Sequence, residues 1–390
     1  MQIRQLSTDE ERFQARLIST LAFHGRMEDP EKARAESGPE SDPHWGAFDD
    51  DGTLMAHIID NQHTVWLDGT LVPSGGVGAV STLPEYRITG AVREIFGALL
   101  PAGRESGEVL STLFPFNHAF YRKFGYETAY WKNQYAFPPA VLRDYRFTGK
   151  AVRWKKGDPV APWTEMYNRF ASGYNLALQW DDKRTAEHLE GEWYRDRKFC
   201  YLLTEAEQPV AFIIFQDIRH DPAAILEVKQ MGWFGRAGFE AMLGFLARFS
   251  ADYGTIRLFL PREVELFSLI HTPHPYDIEK TASQGFMVRV MNTEKLLRTI
   301  RKPAGCRFVI RVADDMIPEN SGTWAVTDQL VTPVGESPDL SVSVQALGQM
   351  ACGASSLAEA LLREDTVLHG NREILDRVFV RKPILVEDHY

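Results

Sequence analysis

The four-residue turn Arg87-Ile88-Thr89-Gly90 lies between a short apolar run and an amphipathic stretch, where a sequence can form a phosphate site. The first N–H groups of a helix have no partner within the helix and lie at the positive end of its dipole, so they attract anions. Gly90 lets a ligand approach the backbone, and Arg87 can add a charge-assisted contact. An ordinary strand-to-helix turn with a solvated arginine would have the same residues, so the turn alone leaves both interpretations open.

The elements on either side of this turn are predicted to be a strand and a helix. Before the turn, an apolar run predicts a buried strand that breaks at Thr82-Leu83-Pro84; the run is Val77, Ala79 and Val80. After it, one apolar stripe at helical spacing is formed by Val92, Ile95, Phe96, Leu99 and Leu100. Pro101 and Gly103 predict the end of this helix.

Two segments carry a family resemblance. The pattern V-x-T-x-P-x-x-R-x-x-G resembles the acetyl-CoA signature of the GNAT acetyltransferases, with its letters at Val80, Thr82, Pro84, Arg87 and Gly90. The later stretch Phe120-Tyr121-Arg122-Lys123-Phe124-Gly125-Tyr126 resembles the F-Y-x-x-F-G-Y segment with the catalytic tyrosine of that family. The resemblance implies acetyl-CoA as co-substrate, no metal, and cofactor-binding roles for Val80, Ser81, Thr82, Arg87, Ile88, Thr89, Gly90 and Ala91.

The same resemblance implies how the parts of the cofactor are held. Backbone amides near Ser81 and Thr82 would hold the thioester carbonyl and the pantetheine, whereas the turn and Ala91 would hold the pyrophosphate. Tyr121 would give a proton to the departing thiolate, since a phenol with a pKa of about 10 stays protonated at neutral pH. The alternative for Tyr121 is a core tyrosine packed with Phe120, Phe124 and Tyr126.

Composition limits the compartment and the partners. The chain has 390 residues with 43 basic and 53 acidic side chains, and its net charge of −10 disfavours non-specific nucleic-acid binding. Its 3 scattered cysteines are too few for a disulfide framework or a metal cluster. Because the sequence has no apolar run of transmembrane length and its first residues lack a signal-peptide core, we expect a cytoplasmic protein without a membrane partner.

Length and a hydrophobic content of 44% predict two or three domains. Residues 1–149 hold the motifs above, and Ser7 and Glu10 have the spacing of a helix capping box. Residues 150–286 repeat the predicted order of strands and helix of the first domain. In place of the Arg87–Gly90 turn they have the bulky sequence Gly232-Trp233-Phe234-Gly235-Arg236, which predicts a GNAT-like domain without cofactor. Residues 287–390 predict a smaller α/β domain. The predicted fold class is α/β, with tandem GNAT folds, each a mixed sheet flanked by helices, before a domain that resembles a sterol carrier protein.

Residues 27–52 form an acidic segment with nine acids and two bases. In a GNAT fold this region borders the acceptor site, so the acids could attract a protonated amine. A solvated loop is the alternative.

The order of the domains resembles the Eis (enhanced intracellular survival) family, which implies a homo-oligomer, a trimer or a hexamer, and a third domain that serves as scaffold or binds lipid. In that family the catalytic base is the carboxylate of the last residue, which is Tyr390 here. The apolar Ile384-Leu385-Val386 predicts that the chain is anchored shortly before this residue. The sequence departs from the pattern of the Eis relatives at two places, Ile88-Thr89 after Arg87 and the bulky run around Phe116. Both change the expected shape of the pocket, so the identity of the acceptor stays open.

The leading hypothesis is an acetyl-CoA-dependent N-acetyltransferase in which a small-molecule or peptide amine attacks the thioester directly. The acceptor would be a polyamine, an aminoglycoside-like polycation or a lysine side chain. The alternative is a catalytically weak CoA- or lipid-binding regulatory protein, which is favoured if Ile88 and Phe116 block the thioester.

Overall fold

The computed structural model describes residues 1–38, 41–220, 223–270, 274 and 277–387. The chain divides into two compact units, each made of two separate stretches. The first unit combines residues 1–129 with 285–382, and the second combines 130–284 with 383–387. The division into three domains at residues 149 and 286 stays a prediction.

Strands and short helices alternate along the whole chain. Up to residue 137 they are β1 (Gln2–Gln5), α1 (Asp9–Ala22), α2 (Pro30–Ala35), β2 (His44–Phe48), β3 (Leu54–Leu67), β4 (Thr70–Thr82), α3 (Ala91–Ser106), β5 (Leu110–Leu113), α4 (His118–Arg122) and β6 (Glu127–Phe137). From residue 150 they are β7 (Lys150–Arg153), α5 (Ala161–Ala171), α6 (Asp182–Leu189), β8 (Lys198–Glu205), β9 (Gln208–His220), β10 (Ala223–Trp233), α7 (Gly235–Ala247), β11 (Thr255–Leu260), α8 (Leu266–Leu269) and β12 (Glu279–Val290). The last are α9 (Thr293–Thr299), β13 (Arg307–Ala313), β14 (Gly322–Thr327), β15 (Val331–Pro333), β16 (Leu340–Ser343), α10 (Val344–Cys352), α11 (Leu357–Ala360), β17 (Thr366–Leu368) and α12 (Arg372–Val378).

The main sheet of the first unit has the strand order β1-β2-β3-β4-β5-β12. Its pairs are antiparallel except β4 with β5, which run parallel. Asp68 and Gly69 both have positive φ, +51° and +82°, and join β3 to β4 as the Asp-Gly pattern predicts. Four residues of the predicted helical stripe are buried in the core of this unit: Ile95, Phe96, Leu99 and Leu100.

Two local predictions in the first unit are wrong. The capping box of α1 is formed by Thr8 and Glu11 instead of Ser7 and Glu10, one residue later. Helix α3 does not stop at Pro101 or Gly103 but continues to Ser106 and ends at Gly107, whose φ is +105°. The last turn is held from outside the helix, because the Arg104 guanidinium donates to Met291 O at 3.0 Å and to Asn320 Oδ1 at 2.7 Å. Such tertiary contacts override the helix-breaking tendency of proline.

The second unit has the sheet order β6-β11-β10-β9-β8-β7, with β10 and β11 parallel. An antiparallel meander therefore leads into a parallel pair linked by a helix, as in the first unit, which is the repeated plan that the sequence predicts. β10 also carries a bulge, between Val228 and Gln230.

The first unit also contains a five-stranded sheet with the order β15-β14-β13-β16-β17. Among the described strand pairs of this sheet, β13 and β16 run parallel and the others antiparallel. Residues 287–290 are predicted to open the last domain, but in the structure they pair with β5 in the main sheet. The mixed sheets with flanking helices confirm the α/β class.

Candidate active site

Strand β4 separates from its parallel neighbour before it ends. The pairing with β5 stops at Val77 opposite Leu113, while β4 continues to Thr82. Between Gly78 and Ser81 the register against β3 slips by one residue, and Ala79 has a φ of +50°. This bulge bends the strand, and in the described part of the sheet it leaves one edge of the last residues of β4 without a strand partner.

A cleft of about 930 Å³ opens at this point. The end of β4, the following turn, the first residues of α3, helix α4 and the end of α1 line it. Seven of the eight predicted cofactor residues are in its lining: Val80, Ser81, Thr82, Arg87, Ile88, Gly90 and Ala91. The eighth, Thr89, is not in the lining; its hydroxyl donates to Tyr86 O at 2.7 Å within the turn.

The N-terminus of α3 is open towards the cleft. Gly90 is its N-cap with a φ of +88°, and no side chain caps the helix. A methyl group at Gly90 would have no heavy atom within 4 Å, so the space in front of the first amides is free. Ile88 has a φ of +71°, a strained conformation for a β-branched residue, and its side chain is fully exposed. The turn thus presents bare backbone at the positive end of a 16-residue helix.

A tyrosine that the sequence reasoning missed fixes this turn. Tyr86 Oη donates to Asp49 Oδ2 at 2.7 Å. Asp49 also accepts the backbone N–H groups of Asp51 and Thr53 at 3.0 and 2.8 Å. The hydrogen bond from Tyr86 and those backbone bonds lower the pKa of Asp49, and the pKa of Tyr86 is raised by the same partner. The strained turn is therefore tied to the loop between β2 and β3.

Three cations line the cleft, Arg87, Arg93 and Lys123. None of them forms an ion pair with a residue that the structure describes. Arg93 and Lys123 were not predicted, although one follows Gly90 by three positions and the other lies inside the F-Y-x-x-F-G-Y segment. No described lining residue carries a carboxylate, so the cleft is positive within a chain of net charge −10.

The acidic segment at residues 27–52 does not line this cleft in its described part. Its Glu28, Asp29 and Glu36 border a separate small cleft together with basic residues, and Asp49 anchors Tyr86 as described above. Glu40 lies outside the described residues.

Tyr121 lies on α4 and is 2% exposed. Its ring packs in edge contacts against four other rings, with centroid distances of 5.1 Å to Phe120, 5.3 Å to Phe116, 6.3 Å to Phe96 and 6.3 Å to Tyr126. Its hydroxyl forms no hydrogen bond with the described part of the chain. Burial raises the pKa of Tyr121, so the phenol is protonated at neutral pH. Tyr121 is therefore part of an aromatic cluster, as the alternative interpretation expects, but its hydroxyl donates to no described group.

The end of α4 is held by a buried arginine. Arg289, on β12, is 0% exposed, and its Nε donates to Phe124 O at 2.7 Å. The same guanidinium forms two hydrogen bonds with Asp314, at 2.8 and 3.0 Å. Gly125 has a φ of +83°, and a methyl group there would lie 3.0 Å from Arg289 Nε, so only glycine allows this approach.

Residues of the last hundred positions support α4 as well. Gln345 Nε2 donates to Arg122 O at 3.3 Å, and Gln349 Nε2 donates to Thr128 O at 2.6 Å. The buried Glu127 receives both Arg122 and Arg363 as ion-pair partners, at 2.8 and 3.1 Å. The tyrosine-bearing helix is therefore fixed from behind by residues distant in sequence.

Tyr390, the predicted base, lies outside the described residues. The anchor before it is present: Ile384, Leu385 and Val386 are buried. Asn175 N–H donates to Pro383 O at 2.9 Å, and Leu385 N–H donates to Asn175 O at 3.2 Å. The predicted anchoring of this segment is confirmed.

The second unit has a cleft of about 650 Å³ at the start of α7. Trp233 and Phe239 line it, and Arg236, also in its lining, is paired with Glu240 at 2.7 Å. The prediction that this unit binds no cofactor stays a prediction.

The fold and the sequence together define the class of protein. Residues 2–129 match the family model described as an acetyltransferase (GNAT) domain, and residues 294–386 match the model of a sterol carrier protein domain. The protein is thus an enzyme with a GNAT acetyltransferase domain and a C-terminal sterol-carrier-like domain.

Solved structures with the same fold span essentially the whole chain. A GCN5-related N-acetyltransferase from Anabaena variabilis is 19% identical, with a TM-score of 0.86 and 100% of both chains covered. A protein from Enterococcus faecalis described as a "probable N-acyltransferase" is 19% identical, with a TM-score of 0.85 over 98% of this chain and 97% of that one. Eis1 from Mycobacterium abscessus is 18% identical, with a TM-score of 0.84 and 100% of both chains covered. No curated protein matches the sequence significantly.

Two kinds of feature do not occur in the described ranges. They contain no helix long and apolar enough to cross a membrane. Within the same ranges, no three His, Cys, Asp or Glu residues come together as metal ligands would.

Proposed function

We propose that the protein transfers the acetyl group of acetyl-CoA to an amine, which attacks the thioester directly. The observation that carries this proposal is the cleft where β4 leaves β5, because it ends on the open N-terminus of α3. It combines an unpaired strand edge for the amides of pantetheine with bare helix amides for a pyrophosphate. The match of residues 2–129 to a GNAT domain supports the same reaction class.

The cofactor contacts proposed for this cleft are those expected from the sequence. Backbone groups of Val80, Ser81 and Thr82 hold the pantetheine and the thioester carbonyl. The turn Arg87-Ile88-Thr89-Gly90 and Ala91 hold the pyrophosphate. Arg93 and Lys123 add positive charge on the same cleft, which suits a ligand with several phosphate groups.

The chemical step requires two proton movements. The amine nitrogen forms a bond to the carbonyl carbon, the C–S bond breaks, and the thiolate takes the phenolic proton of Tyr121. The nitrogen loses its own proton to the terminal carboxylate of Tyr390, whose unperturbed pKa is about 3.5 and which is therefore ionised at neutral pH. The hydroxyl of Tyr121 is protonated at neutral pH and has no described partner, which supports its role as the acid. The buried anchor at 384–386 ends four residues before Tyr390.

The acceptor is a small-molecule or peptide amine: a polyamine, an aminoglycoside-like polycation or a lysine side chain. The full-length likeness to Eis1 supports an Eis-like architecture. From the family resemblance of the sequence we also propose a homo-oligomer, a trimer or a hexamer, in the cytoplasm. The described lining of the cleft carries no carboxylate, so it offers no counter-charge that would favour a polycation over a monoamine.

Thiol release from acetyl-CoA in the presence of a panel of amines tests this function. The panel contains a diamine, a polyamine, an aminoglycoside and a lysine peptide, and we expect release that depends on at least one of them. Acetyl-CoA binding without release across the panel contradicts acetyl transfer and favours a CoA- or lipid-binding regulatory protein, in which the exposed Phe116 and Ile88 at the cleft obstruct the thioester.

A further inference from the structure

The second unit has a small positive cleft between the residues after β7 and the loop from α6 to β8. Its volume is about 210 Å³. The basic side chains that line it are Arg153, Lys155, Lys156 and Lys198. Glu192 is the one acid among its described lining residues. Four cations against one carboxylate are unusual on a chain whose net charge is −10.

The charges of Glu190 and Asp196 act on one of these cations, Lys198, without forming a salt bridge with it. None of the four forms an ion pair with a described residue. Lys198 is half-buried, its Nζ donates to Glu190 O at 2.7 Å, and burial lowers its pKa. A partly desolvated ammonium without a carboxylate partner is unfavourable, and a bound anion would compensate it.

Two acids of the surrounding loops hold those loops in place. Asp158 Oδ2 accepts the backbone N–H of Lys155 at 2.9 Å. Asp196 is paired with Arg195 and also accepts the backbone N–H of Glu192 at 2.7 Å. These two carboxylates thus shape the loops, and the side chains of Arg153, Lys155 and Lys156 remain without an ion-pair partner among the described residues.

Two indoles complete the lining, those of Trp154 and Trp193. The Arg153 guanidinium lies over the Trp193 ring, with Cζ 4.9 Å from the ring centroid, which orients it by a cation–π contact. Trp193 is nevertheless 47% exposed, so apolar area is left at the cleft for a second group.

We propose that this cleft binds a small phosphate monoester, with its dianion between Lys155, Lys156 and Lys198 and its apolar substituent against Trp193. A phosphate monoester carries nearly two negative charges and three acceptor oxygens at neutral pH, which suits several ammonium groups better than a single carboxylate does. The volume equals about seven water molecules at about 30 Å³ each, enough for a phosphate and one small ring but not for a polynucleotide or a CoA molecule.

Calorimetry of the full-length protein with phenyl phosphate at low ionic strength tests this site. We expect binding that becomes about tenfold weaker or more in the double variant Lys155→Gln/Lys156→Gln, on the scale of lost charge-assisted contacts. Lys183→Gln removes an exposed cation on α6 that does not line the cleft, and it should leave the affinity unchanged. Because the double substitution is in the second unit, the loss assigns the binding to this cleft and not to the one at α3.

Two further ligands separate the parts of the proposal. Benzoate has the ring and a single charge, and we expect it to bind at least tenfold more weakly than phenyl phosphate. Inorganic phosphate lacks the ring, so Trp193→Leu should weaken phenyl phosphate and leave inorganic phosphate unchanged. Equal affinity of the double variant and the unaltered protein, no binding of phenyl phosphate at all, or benzoate as tight as phenyl phosphate would each overturn the proposal.

Discussion

The hydroxyl of Tyr121 has no hydrogen-bond partner among the described residues, and it is protonated at neutral pH because burial raises its pKa. Removing only that hydroxyl should therefore lower the turnover rate without changing the stability of the fold. We expect Tyr121→Phe to keep its fold and its acetyl-CoA affinity while kcat falls by about 10²- to 10⁴-fold, the scale of general-acid loss. Steady-state thiol release measures this.

Tyr126→Phe is the matched control, since that tyrosine belongs to the same cluster. Its hydroxyl is hydrogen-bonded to Ser111 at 2.7 Å, so its loss should cost about 1 kcal/mol of stability and little turnover. If Tyr121→Phe keeps most of its turnover, Tyr121 is a core residue and another group supplies the proton.

A buried pair of carboxyl groups, Asp60 and Glu108, gives the first unit a predictable pH dependence. Both are 3% exposed. They crowd the same glycine: a methyl group at Gly75 would lie 2.4 Å from Asp60 Oδ1 and 2.7 Å from Glu108 Oε2. Burial raises the pKa of both groups, and the charge of Asp60 raises that of Glu108 further. The folded protein thus retains a proton that the unfolded chain releases.

The sign of the effect follows from this retained proton. Its stabilisation is complete below the ordinary carboxyl pKa of about 4 and is lost as the pH rises towards the raised pKa of the pair. We expect Glu108→Gln to reduce the fall in unfolding free energy between about pH 5 and about pH 8 by about 1 kcal/mol or more. Urea unfolding at both pH values measures it, with the exposed Glu105→Gln as control. The same pH dependence in Glu108→Gln and in the control would rule out this pair as its source.

Among the secondary-structure elements, the sequence predicted the features that depend on residues close together in the chain. The Asp68-Gly69 turn, the apolar stripe of α3 and the turn at residues 87–90 each depend on neighbours within a few positions, and the structure has them. The predicted end of α3 was wrong because Arg104 is held by Met291 and Asn320, which are 187 and 216 residues away. The roles of Tyr86 and Arg93 were missed for a related reason, since their partners or surroundings come from other elements.

Arg289 lies on β12 and connects this strand to Phe124, just after α4, and to Asp314, just after β13. Because its guanidinium and Asp314 are both buried, Arg289→Met would leave an uncompensated carboxylate. We expect a loss of about 3–5 kcal/mol in unfolding free energy, partly recovered in Arg289→Met/Asp314→Leu. Chemical unfolding measures both. Arg298→Met breaks an exposed pair with Glu294 and should cost less than about 1 kcal/mol. A similar small cost for Arg289→Met would show that the buried pair does not hold α4.

At the scale of the whole molecule, each unit is assembled from two stretches of chain. Residues 287–290 continue the sheet that begins at residue 2, and Gln345, Gln349 and Arg363 support the helix that carries Tyr121. No periodicity or motif predicts such pairing, because it depends on contacts between distant residues. The sterol-carrier-like region thus has a structural role in the candidate active site.

The same region leads to the chain end. If the carboxylate of Tyr390 is the base, a C-terminal tag converts it to a neutral amide and adds bulk. We expect a C-terminally tagged protein to bind acetyl-CoA normally but to turn over at least tenfold more slowly, whereas the same tag at the N-terminus has no effect. Thiol release and calorimetry measure the two properties. Equal turnover of both tagged forms would exclude the terminal base.

The proposed function requires that acetyl-CoA binds where β4 leaves β5, with its pyrophosphate at the N-terminus of α3. Gly90→Asp places a negative charge at this position. Gly52→Asp is a closely matched control, because both glycines have φ near +85° and open space where a side chain would begin: +88° for Gly90 and +83° for Gly52.

Calorimetric titration of acetyl-CoA into the unaltered protein and these two variants is the most direct measurement. We predict that Gly90→Asp weakens binding by about 30-fold, or about 2 kcal/mol, on the scale of a lost charge-assisted contact, and that Gly52→Asp leaves it unchanged. Acetyl-CoA affinity that is the same in all three proteins would contradict the assignment of this cleft.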